Sequence, residues 1–296
     1  MVADKGSLRA AARQIGVAQP AISRSIAEVE REVGAALFER SARGAVTTAV
    51  GQRFLLRATA ILAELQRAKE EAAQILGEGS GHVSVALSTA VHLALLPKAL
   101  PVFRAKYPNI LLSIREGLFA RVHREVEEGA LDFYMGPLSE TPVPGSLQSE
   151  LAFNNRRIIL SRKGHSLRHA NSLSKLVNAD WISTTVTETE DAELGPLFAA
   201  HGLPTPKVRL HVQSSLTMTL AVAHTDLLVM VPQQWLGFPT TRDLLQEVRV
   251  KEPLDAPAVY AVRQRRFPLT PAAQLFYDLL LQFGHEIAGR GPSKRR

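Results

Sequence analysis

Cysteine is absent from this chain of 296 residues, which excludes a disulfide framework and thiolate metal sites and fits a reducing, cytoplasmic setting. Long apolar runs are absent as well. The most hydrophobic stretch, 93–103, is interrupted by Pro97, Lys98 and Pro101, and no signal pattern opens the chain, so neither a membrane span nor secretion is expected. Nine histidines are scattered without a His-Glu-x-x-His pair, and no Gly-x-Ser-x-Gly or glycine-rich phosphate loop occurs. No metal site, cofactor or catalytic centre is therefore expected, and an enzyme is disfavoured. What is present is 46% hydrophobic and 21% charged residues, the balance of a soluble globular chain. The formal net charge of +7 suits a polyanionic partner without proving one.

The stretch 7–30, SLRAAARQIGVAQPAISRSIAEVE, reads as two short helices across a tight turn. Leu8, Ala11, Ala12 and Ile15 recur at helical spacing behind Ser7, a good N-cap type. Gly16 suits the left-handed backbone just past a helix end, and Val17 and Ala18 make the turn. Gln19-Pro20 restart a helix where the missing proline N–H is not needed. Val17, Ile22, Ile26 and Val29 are expected on the buried side. Gln19, Ala21, Ser23, Arg24 and Ser25 then point outward or along the flanks, and Gln, Ser and Arg are types that read base edges and phosphates. The pattern predicts a helix-turn-helix that binds double-stranded DNA, against the blander alternative of an ordinary helical hairpin.

Beyond it, 39–44 reads as the tip of a wing, with Arg40 and Arg43 placed to reach phosphates or a minor groove, and Thr47-Thr48 as the cap of a long helix. From Phe54 the apolar residues fall at Ala58, Ile61, Leu65, Ala68, Ala72 and Ile75, a period of 3.5 residues. Such a stripe needs a partner helix, most simply the same helix of a second subunit. The glycine-rich run 77–81 reads as a hinge.

Several of these positions recur together in one family. Gly6-Ser7, Ala11-Ala12, Gln19-Pro20-Ala21, Ser23, Glu30, Gly34, Leu37-Phe38, Arg40, Arg43-Gly44, Thr48 and Gly51 give residues 6–56 a specific resemblance to the N-terminal domain of LysR-type transcriptional regulators. Thr47 and Val50 depart from the family's usual residues. The resemblance implies a winged helix-turn-helix in 1–52, then a linker through which subunits dimerise in 53–80. It also implies a further helix ahead of the segment matching Val2–Gly6, of which only the end is expected here.

After Gly81 short apolar strands alternate with helices, which implies a parallel α/β sheet. Strands are expected at HVSVALS, NILLSIRE, LDFYMG, RRIILSR, DWISTT, KVRLHV, DLLVMVP and AVYAVRQRR. Helices are expected at 89–106 with a bend at Pro97, then at 119–128, 190–201, 215–224 and 271–287. A Pro/Gly-rich crossing at 141–145 separates the halves. This order, with EGALDFYMGPL and LLVMVP, resembles the two-lobed type-II periplasmic-binding-protein fold of LysR effector domains. The expected domain is 81–288, with lobe I about 81–154 and 264–288, lobe II about 155–263, and a basic tail at 289–296. The glycine-rich turn of the family is replaced by His224-Thr225-Asp226, with Asp expected to take the same backbone.

In α/β lobes ligands lie at the carboxyl ends of strands, facing helix N-termini. Ser88-Thr89 and Ser214-Ser215 stand at such ends, one pair per lobe, where their hydroxyls could hold an oxyanion from both sides or serve only as helix caps. The resemblance places the effector near these positions. Gly117, Leu118, Gly136, Ser183 and Thr184 fall at other strand ends of the same cleft, with Leu118 standing where some relatives carry a hydroxyl. The expected protein is a homodimer or homotetramer that binds an inverted DNA repeat and answers to a small metabolite, an anion among the candidates. The competing expectation is a metabolite-binding, hetero-oligomerising modulator with weak or no DNA binding.

Overall fold

The computed structural model describes residues 1–41, 44–77, 80–138, 142–184 and 193–289, leaving aside the side chains of Asp4, Arg40, Ser41 and Thr240. The chain forms two compact units, Met1–Ala68 and Lys69–Arg296, whose boundary falls inside one long helix.

The first unit holds α1 (Val2–Lys5), α2 (Leu8–Ile15), α3 (Gln19–Val33), the hairpin β1 (Phe38–Ser41) and β2 (Gly44–Thr47), and the start of α4 (Ala49–Ile75). Ser7 caps α2 by accepting the Ala10 N–H, and Gly16 ends it in left-handed backbone at φ 77°. Pro20 lies in the first turn of α3. The core here is narrow: Ala11 and Ala12 pack on Ile22, with Val2, Leu8 and Ile26 around them. Two small residues allow the helices to approach closely, and Val17, expected inside, lies beyond that contact, 43% exposed, as does Ile15 at 47%.

Polar contacts fasten the hairpin. Glu30 Oε1 accepts the N–H groups of Leu37 at 2.7 Å and Phe38 at 3.1 Å. Thr48 donates its hydroxyl to the Ala36 carbonyl at 2.7 Å and accepts the Gly51 N–H at 2.9 Å, so it alone caps α4. Gly44, at φ 112°, lets β2 approach the loop after α1, where the Ala45 N–H donates to Gly6 O at 2.8 Å.

In the second unit the last turns of α4 are held by Gln74, whose Oε1 accepts the Ala272 N–H at 2.9 Å. Then follow β3 (Gly81–Leu87), α5 (Thr89–Ala94), α6 (Leu96–Lys106), β4 (Ile110–Glu116), α7 (Phe119–Glu127), β5 (Phe133–Pro137) and β6 (Leu147–Phe153). The chain next builds β7 (Arg157–Arg162), β8 (Asp180–Ser183), α8 (Leu194–Ala200), β9 (Lys207–His211), α9 (Ser215–His224), β10 (Leu228–Pro232), α10 (Pro239–Arg242) and β11 (Leu245–Val248). It returns with β12 (Val259–Gln264) and ends in α11 (Pro271–Gly289).

Two five-stranded sheets result, β4-β3-β5-β12-β6 in lobe I and β11-β7-β10-β8-β9 in lobe II. Both are mixed, not parallel throughout. β3 runs parallel to β4 and β5, but β12 is antiparallel to β5 and β6. In lobe II, β8 is parallel to β9 and β10, while β7 is antiparallel to β10 and β11. The reason lies in the crossings: β6 leads out of lobe I and β12 leads back into it, so they must run in opposite senses. β12 therefore belongs to lobe I, and the return crossing precedes Val259, earlier than the expected position near 263.

Other expectations shift locally. The stretch 89–106 is two helices broken at Leu95, with Pro97 in the first turn of α6, where proline is tolerated. The turn before β10 uses no left-handed Asp; among the described residues every positive φ is a glycine. Side chains hold it instead. Thr225 donates its hydroxyl to Ala221 O at 2.6 Å and accepts the Leu227 N–H, and Asp226 pairs with Arg162 at 2.6 Å. The expected strand DWISTT ends at Ser183, and residues 190–192 of the helix before His201 lie outside the described residues, as do 290–296 of the basic tail. Among the described residues no helix is long and apolar enough to cross a membrane.

Candidate functional site

Two separate surfaces carry the expected functional residues. On the first, α3 offers its opening turns: Gln19, Pro20 and Arg24 are exposed and Ser23 is half-buried, because Ile22 alone in this stretch turns into the core. Arg40 lies on β1 with its side chain undescribed, and Arg43 lies outside the described residues. Along α4, Phe54 and Ala58 are half-buried, while Ile61, Leu65, Ala68, Ala72 and Ile75 are exposed. Ile61 and Leu65 present 68% and 53% of their surface, a large apolar display for one helix.

The second surface is a cleft of about 510 Å³ between the lobes, at the carboxyl ends of strands from both. Ser88, Thr89, Gly117, Leu118, Thr184, Ser214 and Ser215 line it together. Gly136 and Ser183 do not. Ser183 is buried, its carbonyl accepting the Val212 N–H at 3.0 Å. Gly136 supports the wall from behind: a Cβ there would stand 2.2 Å from Tyr134 Oη and 2.8 Å from Ser88 Cβ. Burial pushes the Tyr134 phenol well above its ordinary value, so it stays a neutral donor, bonded to Pro137 O at 3.0 Å.

The two serine pairs behave differently. Ser214 caps α9, accepting the Thr217 N–H at 3.3 Å. Ser88 makes no such cap: its hydroxyl is buried at the cleft wall, 3% exposed, with no hydrogen-bond partner among the described residues. The hydroxyls of Thr89 and Ser215 both donate to one oxygen of Glu116, the latter at 2.7 Å. That carboxylate was not foreseen, although it closes NILLSIRE directly beside Gly117; a charge at the end of an apolar strand was the available signal. Arg157 pairs with Glu193 at 2.7 Å, and Arg121 reaches across to Gln213 Oε1 at 3.0 Å. Phe119, Met218, Val231, Trp235 and Pro257 give the cleft its apolar walls.

Comparison with known proteins gives these surfaces a common frame. Residues 1–52 match the family described as bacterial regulatory helix-turn-helix protein, lysR family, and residues 76–284 match the LysR substrate binding domain. The chain belongs to the LysR family of transcriptional regulators. It is 26% identical to the HTH-type transcriptional regulator GalR of Pseudomonas putida over 90% of this chain and 67% of that protein. It is 23% identical to the HTH-type transcriptional regulator TdcA of Escherichia coli K12 over 94% of this chain and 88% of that one. The crystal structure of full-length CbnR complexed with its target DNA shares the fold, with a TM-score of 0.66 at 18% identity over 95% and 96% of the two chains. In this LysR-type regulator the exposed opening of α3 thus belongs to the DNA-binding domain, and the cleft to the effector-binding domain.

Proposed function

We propose that this LysR-type regulator acts in the cytoplasm as a homodimer or homotetramer that binds an inverted-repeat DNA site through α3. A small metabolite bound between the lobes changes their closure, and α4 transmits that change to the spacing of the paired α3 helices. The observation that carries the reading is the exposed opening of α3, where Gln19 and Arg24 stand clear of the core. Base-edge contacts come from such N-terminal recognition-helix positions, whereas the wing serves the backbone or minor groove. The likeness to a relative crystallised on its target DNA supports the same assignment at the level of fold.

Fluorescence anisotropy at several salt concentrations tests it. Gln19→Ala is expected to cost about 1–3 kcal/mol at the specific site and far less on random DNA. Arg43→Ala is expected to weaken both alike and to flatten the slope of log affinity against log salt by about one. A chain that shows no salt-dependent DNA binding at all returns the protein to the class of metabolite-binding, hetero-oligomerising modulators.

A further inference from the structure

Glu116 sits at the end of β4 in lobe I, and one of its carboxylate oxygens receives two hydroxyls from opposite sides of the cleft. Thr89 comes from α5 of the same lobe and Ser215, at 2.7 Å, from α9 of lobe II. These are the hydroxyls that would otherwise meet an incoming oxyanion. Both are donors with a single proton each, and both protons point at Glu116. Of the cations nearby, Arg157 is ion-paired with Glu193, while Arg121 gives one N–H to the neutral Gln213 side chain. A free carboxylate entering here would face a fixed negative charge and would have to strip it of two charge-assisted hydrogen bonds.

We propose that Glu116 is the specificity-determining residue of the cleft. Its carboxylate fills the oxyanion position from within, so the cleft refuses simple carboxylates and takes a ligand that presents hydrogen-bond donors, an ammonium or alcohol hydroxyls, on an apolar body. The second, unshared oxygen of Glu116 is the acceptor for those donors. Ser88, whose buried hydroxyl has no partner among the described residues, supplies a further polar contact in the same lining. The apolar walls around Phe119, Met218 and Trp235 receive the body of the molecule. Discrimination then arises from an unfavourable meeting of like charges as much as from a favourable contact. The inference rests on the cleft being the effector site.

The test uses the full chain, with thermal unfolding as the readout and acetate as the probe, against chloride at equal ionic strength. In Glu116→Ala, and in Glu116→Ser should the first variant fold poorly, acetate is expected to refill the position and raise Tm. The rise grows with the logarithm of the acetate concentration and reaches about 3 °C at about ten times the dissociation constant. The unaltered chain is expected not to distinguish acetate from chloride. Acetate raising Tm equally in the unaltered chain, or not at all in a folded variant, would overturn the assignment. Ethanolammonium chloride is the opposite probe: it is expected to stabilise the unaltered chain and not the variants. Equal effects on both would remove the donor preference. Because neither arm contains DNA, failure here leaves the DNA-binding reading standing, and failure of DNA binding leaves this result readable.

Discussion

At Gly51 two opposite effects on one residue can be weighed. Inside a helix, alanine is ordinarily favoured over glycine by about 1 kcal/mol. Here a Cβ would stand 1.9 Å from the Leu37 carbonyl oxygen, and the atom in the way is backbone, unable to swing aside. Moving it would also disturb the Leu37 and Phe38 N–H groups that Glu30 holds. Overpacking of this kind costs about 1–3 kcal/mol, so the steric term wins. Gly51→Ala is expected to lower the unfolding midpoint in a denaturant titration, whereas Gly145→Ala, with nothing within 4 Å of the added atom, should leave it unchanged. Residues of this kind are legible in the family pattern, which includes Glu30, Gly34, Thr48 and Gly51. Glu116 is not, because the sequence shows which hydroxyls stand at strand ends but not which acceptor in the chain already claims them. Ser88 shows the converse. Its position at a strand end is readable, but a cap and a free hydroxyl look alike in sequence, and only its burial without a partner among the described residues separates them.

Elements were legible to the degree that their pattern was local. The 3.5-residue stripe of α4 follows from spacing alone, as does the break after α2 at Gly16. β6 was missed because its centre, Gln148-Ser149-Glu150, is polar; it is an edge strand whose middle meets solvent, and its pairing with β12 is supplied from a distant part of the chain. The stripe of α4 makes the firmer prediction. Ile61 and Leu65 are mostly exposed within one chain, and removing such residues from water is the main gain available to a second subunit. Ile61→Glu should put a charge into that contact, where an unpaired buried charge costs several kcal/mol, and assembly should fail. Light scattering checks this directly: a variant that keeps the parent's mass in solution would mean that assembly does not run along this stripe.

For the second unit as a whole, two lobes were legible from the alternation of strands and helices, but the division between them was not. AVYAVRQRR announces a strand without saying which sheet receives it, and only the return of β12 to β5 and β6 assigns it to lobe I. What then joins the lobes is a pair of short crossings that bond to each other. Arg156 bridges Asp255, and the Arg157 N–H donates to Leu254 O at 2.8 Å. Asn155 Oδ1 accepts from Gln234 at 3.0 Å, and the Gln233 N–H donates to Arg156 O at 3.0 Å. Arg157 is the pivot of this group: its guanidinium pairs with Glu193 at the cleft wall and also reaches Asp255 O. The pair is partly shielded, with side-chain exposures of 19% and 34%, which places its worth at about 1 kcal/mol, the upper end for accessible ion pairs. Arg157→Ala should therefore speed amide exchange about fivefold in the crossings, while the sheets, each packed on its own core, keep their protection. Hydrogen-exchange mass spectrometry resolves the two cases. Equal acceleration in β3 and β10 would mean that the lobes open as one unit, and closure about these crossings could not be the motion that a ligand controls.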